Sequence, residues 1–256
     1  MHLTERLEIA TASNIGRVRQ NNEDFHRAAV YATPKGHLLV AGVADGMGGA
    51  EAGEIASKIA IDSLSEAVRA YAEHLSSHRP SVALDRLVLK AFTLAQRRIQ
   101  KYVAQHPESQ GMGTTMTALV AFESNRKGFI GHIGDSRAYR YRHGELQLLT
   151  QDHSWVAQQV RMGRMTHYEA EEHPWRNVLT QALGVEDAEF EITPVEMNKG
   201  DVYIFATDGL YNLVPPEEWA VDLEHKDLQA AVDYWTSQAV QRGGTDNITV
   251  VAVRVR

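Results

Sequence analysis

Cysteine is absent from the 256 residues. That excludes disulfides, a thiolate nucleophile and a cysteine-ligated zinc site, and it suits a cytoplasmic protein. Long apolar runs are missing as well: no stretch approaches the ~20 residues that a membrane helix requires, and the opening residues MHLTERLEIA lack the apolar segment of a signal peptide. Cationic clusters are also wanting. Against 33 Asp+Glu stand 26 Lys+Arg, a net charge of −7, and no Lys/Arg group rises above the background, so nucleic acid is an unsuitable partner. There is no internal repeat, no low-complexity segment and no Pro/Gly/Ser-rich linker. A chain that is 43% hydrophobic can build a sizeable core, and we expect one domain over residues 1–256.

What is present alternates in clusters of two periodicities. LEIATASN (7–14) and HLLVAGVA (37–44) read as strands. Residues 52–72 place Ile55, Ala56, Ile59, Ala60, Leu64, Ala67, Val68 and Tyr71 on one helical face. Residues 81–105, opened by Pro80-Ser81, repeat the pattern through Leu84, Leu87, Val88, Ala91, Ala95, Ile99, Tyr102 and Val103, which predicts an antiparallel helix pair. TTMTALVAF, GFIGHIG, SRAYRYRHG and ELQLLT then follow as strands with short polar linkers, ESNRKG and RHGE, suited to antiparallel hairpins. Residues 153–183 turn helical and irregular. EFEITPVEM and DVYIFAT are further strands, 226–241 a further helix, and NITVVAVRVR a closing strand. The order predicts an α+β fold of antiparallel sheets packed on each other with helices outside.

The carboxylates recur in one kind of place. Asp45 closes the run LLVAGVA, Asp208 closes VYIFAT, and each is followed by glycine. Asp246 precedes the last strand in GGTDN, Asp135 lies between two strands in IGDSR, and Glu23 and Asp24 follow the first strand in VRQNNED. Asp-Gly is also a common turn pair, so Asp45-Gly46 alone leaves a turn and a metal ligand both open. Strands of one sandwich can bring their tips together, and five or six carboxylates gathered there would repel unless cations neutralise them. All-oxygen sites select hard ions, Mg²⁺, Mn²⁺ or Ca²⁺. A carboxylate bridging two of them holds them roughly 3.5–4 Å apart, and a bare Gly46 would let its carbonyl reach the second. Arg19, four residues before Glu23, is suited either to a phosphate or to a solvated loop.

VRQNNED, VADGMGG, GMGTT, IGDSRAY, LTQDHS, EEHPWRNVLTQALG, ATDGLYN and GGTDNITVV occur in this order. Together they resemble the metal-dependent protein serine/threonine phosphatases (the PPM, or type 2C, family) in their compact bacterial form, from about Leu7 to Val253. The resemblance implies a β-sandwich of two antiparallel sheets flanked by helices on both faces (αββα), with a mobile helical flap at about 150–183 beside the metals. It implies that Asp45 bridges two ions and that the Gly46 carbonyl serves the second. Asp208 and Asp246 match the other direct ligands of the first metal, and Glu23 and Asp24 the acidic pair that reaches the second, mostly through water. Asp135, helped by Asp208, matches the ligand of a third, looser ion, Arg19 the phosphate-binding arginine, and Asn247 a support for the last loop. Mn²⁺ or Mg²⁺ would be the cofactor. Phosphorylated proteins, a Ser/Thr kinase and its substrates among them, would be the partners of a monomeric enzyme.

The chain departs from some members at Met47, where a histidine proposed as general acid stands, so the leaving alkoxide would take its proton from water or another residue. Asn212 replaces an acidic residue and is not counted as a ligand. His26 and His153 lie near motifs, and structural roles suit them better. With no cysteine, and with the carboxylates better used as ligands, the expected route is in-line attack by a hydroxide shared between two cations, with Arg19 and the metals taking up charge on the non-bridging oxygens. Trp155, Met162, Met165 and Trp175 could meet a peptide or anchor the flap to its own domain. Three rival readings stand beside this one. A binding module without catalysis would lack a metal aspartate, and none is missing. A dinucleotide-binding oxidoreductase would need a third glycine in GMGTTM. A phosphatase of sigma-factor partner switching stays open.

Overall fold

The structure is a computed structural model and describes residues 6–48, 51–77 and 82–256. Gly49 of the VADGMGG motif and the expected Pro80-Ser81 helix start lie outside the described residues. Eleven strands among the described residues form two antiparallel sheets. One has the order β1-β11-β10-β7-β8, from β1 (Leu7–Asn14), β11 (Ile248–Val255), β10 (Val202–Ala206), β7 (Arg137–Arg142) and β8 (Glu145–Leu148). The other has the order β2-β3-β5-β6-β9, from β2 (Asp24–Thr33), β3 (Gly36–Met47), β5 (Met116–Phe122), β6 (Lys127–Ile133) and β9 (Glu191–Glu196), with the short β4 (Gly113–Thr114) also on β3.

The apolar runs are continuous because both faces of each central strand are covered. In β3, Leu38, Val40 and Ala44 face a helical layer, while Leu39, Ala41 and Val43 face the other sheet. In β10, Val202, Ile204 and Ala206 meet helices, and Tyr203 and Phe205 fill the space between sheets. This is the period of two expected of a pleated strand. The helices α1 (Ala52–Ser76) and α2 (Leu84–Gln105) cover the second sheet. Their antiparallel register is visible in Arg98, which reaches Ser63 and Glu66, and in the Tyr71 hydroxyl, which donates to the Val82 carbonyl. Several core residues fall outside the expected stripes, among them Ile61 and Phe92, both fully buried. Gly131 lies under the Phe92 ring, where a β-carbon would collide with it.

The first sheet is covered by α5 (Asp208–Tyr211), α6 (Pro216–His225) and α7 (Leu228–Gln241). The resulting order of layers is helix, sheet, sheet, helix. Strand β2 and helix α6 were not anticipated. The β2 residues are mostly half-buried, with Asp24 buried and Arg27 and Ala32 exposed, as suits a sheet edge that lacks a clean two-residue period. In α6, Trp219 and Leu223 are buried amid Glu217, Glu218, Asp222 and Glu224. The link Gly134–Ser136 is not a hairpin, for β6 and β7 belong to different sheets. Asp135 therefore sits where the chain crosses from one sheet to the other. Residues 153–183 carry α3 (Trp155–Arg161) and α4 (His167–Glu171). Both are capped at the N-terminus, by Ser154 and by the reciprocal Thr166/Glu169 box.

Candidate metal centre

Strand registers bring one end of each central strand to the same pole. Asn14 pairs with Ile248, Ala206 with Val250 and Arg137, Asp24 with Asp45, and Met116 with Ile133. Asp45 and Gly46 are not a turn: β3 runs on to Met47, Gly46 pairs with Thr114, and Met47 pairs with Gly113. The glycine is needed for another reason. A β-carbon at Gly46 would collide with the carbonyl of Gly53 in the first turn of α1, and a β-carbon at Gly53 would crowd the Glu23 carboxyl. The second Asp-Gly behaves in the same way. Asp208 does not end β10 but opens α5 after Thr207, and a β-carbon at Gly209 would collide with the Asn247 carbonyl. Each glycine allows two backbones to touch beside an aspartate.

Glu23 does not simply trail β1; its carbonyl accepts from the Gly46 amide at 3.1 Å, and Asp24 opens β2. Asn247 holds the intervening loop in three places. Its Nδ2 donates to the carbonyls of Ile15 and Asn21, both at 2.9 Å, and its Oδ1 accepts from the Glu23 amide at 2.8 Å. That loop carries Arg19, whose guanidinium donates to Asp246 at 2.7 Å. Hydroxyls join the two sheets beneath the carboxylates. Thr207 donates to Asp24 at 2.8 Å, and the Thr115 hydroxyl accepts from the Asp45 amide at 2.9 Å and lies 2.7 Å from the Ser136 hydroxyl. Thr115, Ser136 and Thr207 carry no signal of these bonds in the sequence beyond their places: Ser136 follows Asp135, Thr207 precedes Asp208, and Thr115 ends the GMGTT motif.

The acids feel one another. Burial first, and then its acidic neighbours, push Asp24 up to about 7 against the opposing pull of the Thr249 and Thr207 hydroxyls. Asp208 is pushed up to about 6 by burial and by Asp246. Burial raises Asp45 well above the carboxylate range, with Asp24, Asp208, Asp135 and Asp246 adding to it. Asp135 is raised likewise by burial and by Asp208, and Glu23 by burial with a contribution from Asp246. Arg19 is raised in turn by its bond to Asp246, with Glu23 and Asp45 contributing. All the expected acids thus fall within one electrostatic neighbourhood. Even so, among the described residues no three Asp, Glu or His side chains are closed into a coordination sphere.

Two oxygens test whether divalent cations suit this pocket. Asp24 Oδ1 and Asp208 Oδ1 are both buried without a hydrogen-bond partner. A buried, unpaired carboxylate oxygen is costly unless something positive meets it. The donor set is all oxygen and strongly acidic, which suits hard cations. The remaining expected residues take other positions. Met47 lies against Gly113. His153 accepts from the Gly134 amide at Nδ1 (3.2 Å) and donates from Nε2 to Glu191 (3.1 Å), a structural set of bonds. His26 lies on β2, its pKa lowered by burial. Asn212 donates weakly to Asp208 at 3.4 Å. Trp155, His173 and Trp175 pack on one another with ring centres 4.9–5.8 Å apart, while Met162 and Trp175 are about half exposed.

Among the described residues no helix is long and apolar enough to cross a membrane. The protein phosphatase 2C family model matches residues 15–246. The serine/threonine protein phosphatase PstP of Mycobacterium tuberculosis is 38% identical over 249 residues, covering 97% of this chain and 45% of its own length. The chain therefore spans less than half of that relative. The serine/threonine phosphatase stp of Listeria monocytogenes is 34% identical over 240 residues, covering 93% of this chain and 92% of its own. Among solved structures, the catalytic domain of PstP in complex with two manganese ions superimposes with a TM-score of 0.81 at 34% identity over 98% of each chain. The ordered motifs, the four-layer sandwich and these likenesses agree: the chain belongs to the protein phosphatase 2C family.

Proposed function

We propose that this chain is a metal-dependent protein serine/threonine phosphatase, hydrolysing phosphoserine and phosphothreonine in proteins. The observation that carries the reading is the gathering of six acidic side chains from separate segments at one pole, with two buried carboxylate oxygens unpaired. Asp45, Asp208 and Asp246 would hold one ion, Asp45, the Gly46 carbonyl, Glu23 and Asp24 a second, and Asp135 with Asp208 a looser third. Bound there, Mn²⁺ or Mg²⁺ supplies Lewis-acid charge and an acidified water as nucleophile.

The protein's own groups do the rest. Arg19, half exposed and held beside Asp246, is placed to exchange part of that pairing for two oxygens of a phosphate, which its planar fork suits. Asn247 keeps the Arg19 loop at a fixed height over the acids. Methionine at 47 cannot give a proton, so the leaving alkoxide would take one from water or from another residue. Residues 1–256 act as one catalytic unit in this reading, with 150–183 as the edge that meets the phosphoprotein. We further assign it to the cytoplasm as a monomer that reverses a Ser/Thr kinase, the likeness to the PstP and stp phosphatases supporting that role.

The test is hydrolysis of p-nitrophenyl phosphate and of phosphothreonine peptides with Mn²⁺, Mg²⁺ or EDTA. Turnover with either metal and none in EDTA is expected. Equal turnover in EDTA would overturn the reading. Comparing an autophosphorylated kinase with a phosphorylated anti-sigma antagonist separates kinase signalling from partner switching.

A further inference from the structure

The segment 150–183 is stitched to the acidic pole at both ends. At its start, the His153 amide donates to the Gly134 carbonyl at 2.8 Å, and the Thr180 amide returns to the His153 carbonyl at 2.7 Å. At its end, Leu183 and Thr114 exchange both amide bonds, at 2.9 and 3.0 Å. Gly134 precedes Asp135, and Thr114 pairs with Gly46, so both roots touch residues beside the acids. Between them stands Arg137, the first residue of β7. Its Nε and one terminal nitrogen donate to the two oxygens of Asp152 at 2.9 and 2.7 Å. Its guanidinium lies 3.9 Å from the Tyr211 ring centre. The buried Tyr211 hydroxyl donates to the Asp135 carbonyl at 2.9 Å, and Tyr211 sits one turn after Asp208 in α5. From the other side, Arg161 of α3 donates to the Asp152 carbonyl at 3.0 Å.

One cation thus touches the root of the 150–183 segment, the ring beneath the Asp135 backbone, and the helical turn that presents Asp208. We propose that Arg137 is a positioning residue: through Asp152 and Tyr211 it fixes the substrate-facing segment in register with the Asp135 loop and α5. Its planar fork satisfies both carboxylate oxygens while its face lies on the ring, a combination an ammonium cannot reproduce. It touches neither substrate nor the reacting atoms, so its effect should fall on substrates long enough to meet the segment. This inference rests on the phosphatase reading for its kinetic consequence, though not for its structural one.

The same strand provides the control. At the far end of β7, Arg142 forms an equally bidentate pair with Asp201, 2.7 Å for each bond, away from the acids. We therefore compare Arg137→Lys with Arg142→Lys in the Mn²⁺-loaded protein. For Arg137→Lys the KM for a phosphothreonine peptide rises about tenfold, while the KM for p-nitrophenyl phosphate stays within about twofold. In the same variant, amide exchange at His153, Trp155 and Thr180 accelerates. Asp152→Asn reproduces both effects, and the double variant is no worse than either single one. Arg142→Lys lowers thermal stability to a similar degree and changes neither peptide KM nor exchange in the segment. Two results would overturn the assignment: indistinguishable peptide KM values for the two lysine variants, or unchanged exchange at the three amides. Should the parent protein hydrolyse neither substrate, the phosphatase reading fails, and the exchange comparison still decides the role of Arg137.

Discussion

Asp24 and Asp45 face each other directly across β2 and β3, two carboxylates in one cross-strand pair at the mouth of the sandwich. A sheet ordinarily avoids like charges at such a position, because each destabilises the other. Here burial deepens the conflict, raising both carboxyls. The arrangement trades stability of the metal-free chain for a pocket that favours cations.

The first prediction follows from that pair. Asp45→Asn removes one of two opposed charges, so the EDTA-treated variant is more stable than the parent by roughly 1 kcal/mol. The same change abolishes Mn²⁺-dependent hydrolysis and most of the stabilisation that Mn²⁺ gives the parent, since an ion that binds only the folded state stabilises by mass action. Denaturant melts with and without Mn²⁺, alongside p-nitrophenyl phosphate turnover, measure all three. An Asp45→Asn protein that melts earlier than the parent in EDTA would show that Asp45 is a structural acid instead.

A second prediction concerns backbone contact. Gly46→Ala and Gly209→Ala each drive a methyl group into a facing carbonyl, of Gly53 and of Asn247. Each costs about 2 kcal/mol or more, metal or no metal. Gly163→Ala, where φ is +68° but nothing stands within 4 Å, pays only the left-handed backbone cost of about 1 kcal/mol. Melts in EDTA separate these steric costs from any loss of ion binding. Equal, small losses at all three sites would refute the collision.

These glycines also show how far the sequence was legible. The stripes of α1 and α2 and the apolar strands announce the layers, because burial on one helical face or on both strand faces leaves a period in the residues. The acidic motifs mark the pole, because Asp45, Asp135, Asp208 and Asp246 each lie at a strand tip or strand junction. What stayed hidden depends on distance along the chain. Gly46 meets Gly53 and Gly209 meets Asn247 only after the strands pair, so an Asp-Gly turn and an Asp-Gly strand look alike beforehand. Arg137 and Asp152, fifteen residues apart, carry no local signal of their bond. Strand β2 is hidden by its polar edge character, and the Thr115–Ser136 contact by its crossing between sheets.

The third prediction is one of pH. His132 is buried between Thr117, whose hydroxyl lies 2.8 Å from Nδ1, and the Gln151 carbonyl, 2.9 Å from Nε2. Burial, then the nearby His153, lowers it to about 4 from an ordinary 6.5. The unfolded chain therefore binds the proton more readily than the folded one. Stability from this group is complete above about 6.5 and is lost as pH falls toward 4, by up to about 3 kcal/mol. Other acids titrate across that range, so the signal is the difference between the parent and His132→Asn. The parent loses more stability than the variant between pH 7.5 and 4.5 in guanidinium melts. Parallel losses would mean that folded His132 takes up its proton as readily as the unfolded chain does.

The last prediction concerns the loop that carries Arg19. Asn247 is 4% exposed, and its amide bonds three backbone groups between Ile15 and Glu23. Asn247→Ala leaves two carbonyls and one amide without that partner and costs about 2–4 kcal/mol, each loss being worth of order 1 kcal/mol or more when buried. Asn247→Asp keeps the acceptor for the Glu23 amide and loses both donors, so it places a carboxylate against the Ile15 and Asn21 carbonyls and adds a seventh acid to the pole. If Arg19 grips the phosphate, both changes raise KM for p-nitrophenyl phosphate as Arg19→Ala does, and combining either with Arg19→Ala adds little further. A full additional loss in the double variants would show that the Asn247 side chain serves the acids independently of Arg19, by holding the backbone whose N–H at Asn247 donates to the Asp246 carboxylate at 2.8 Å.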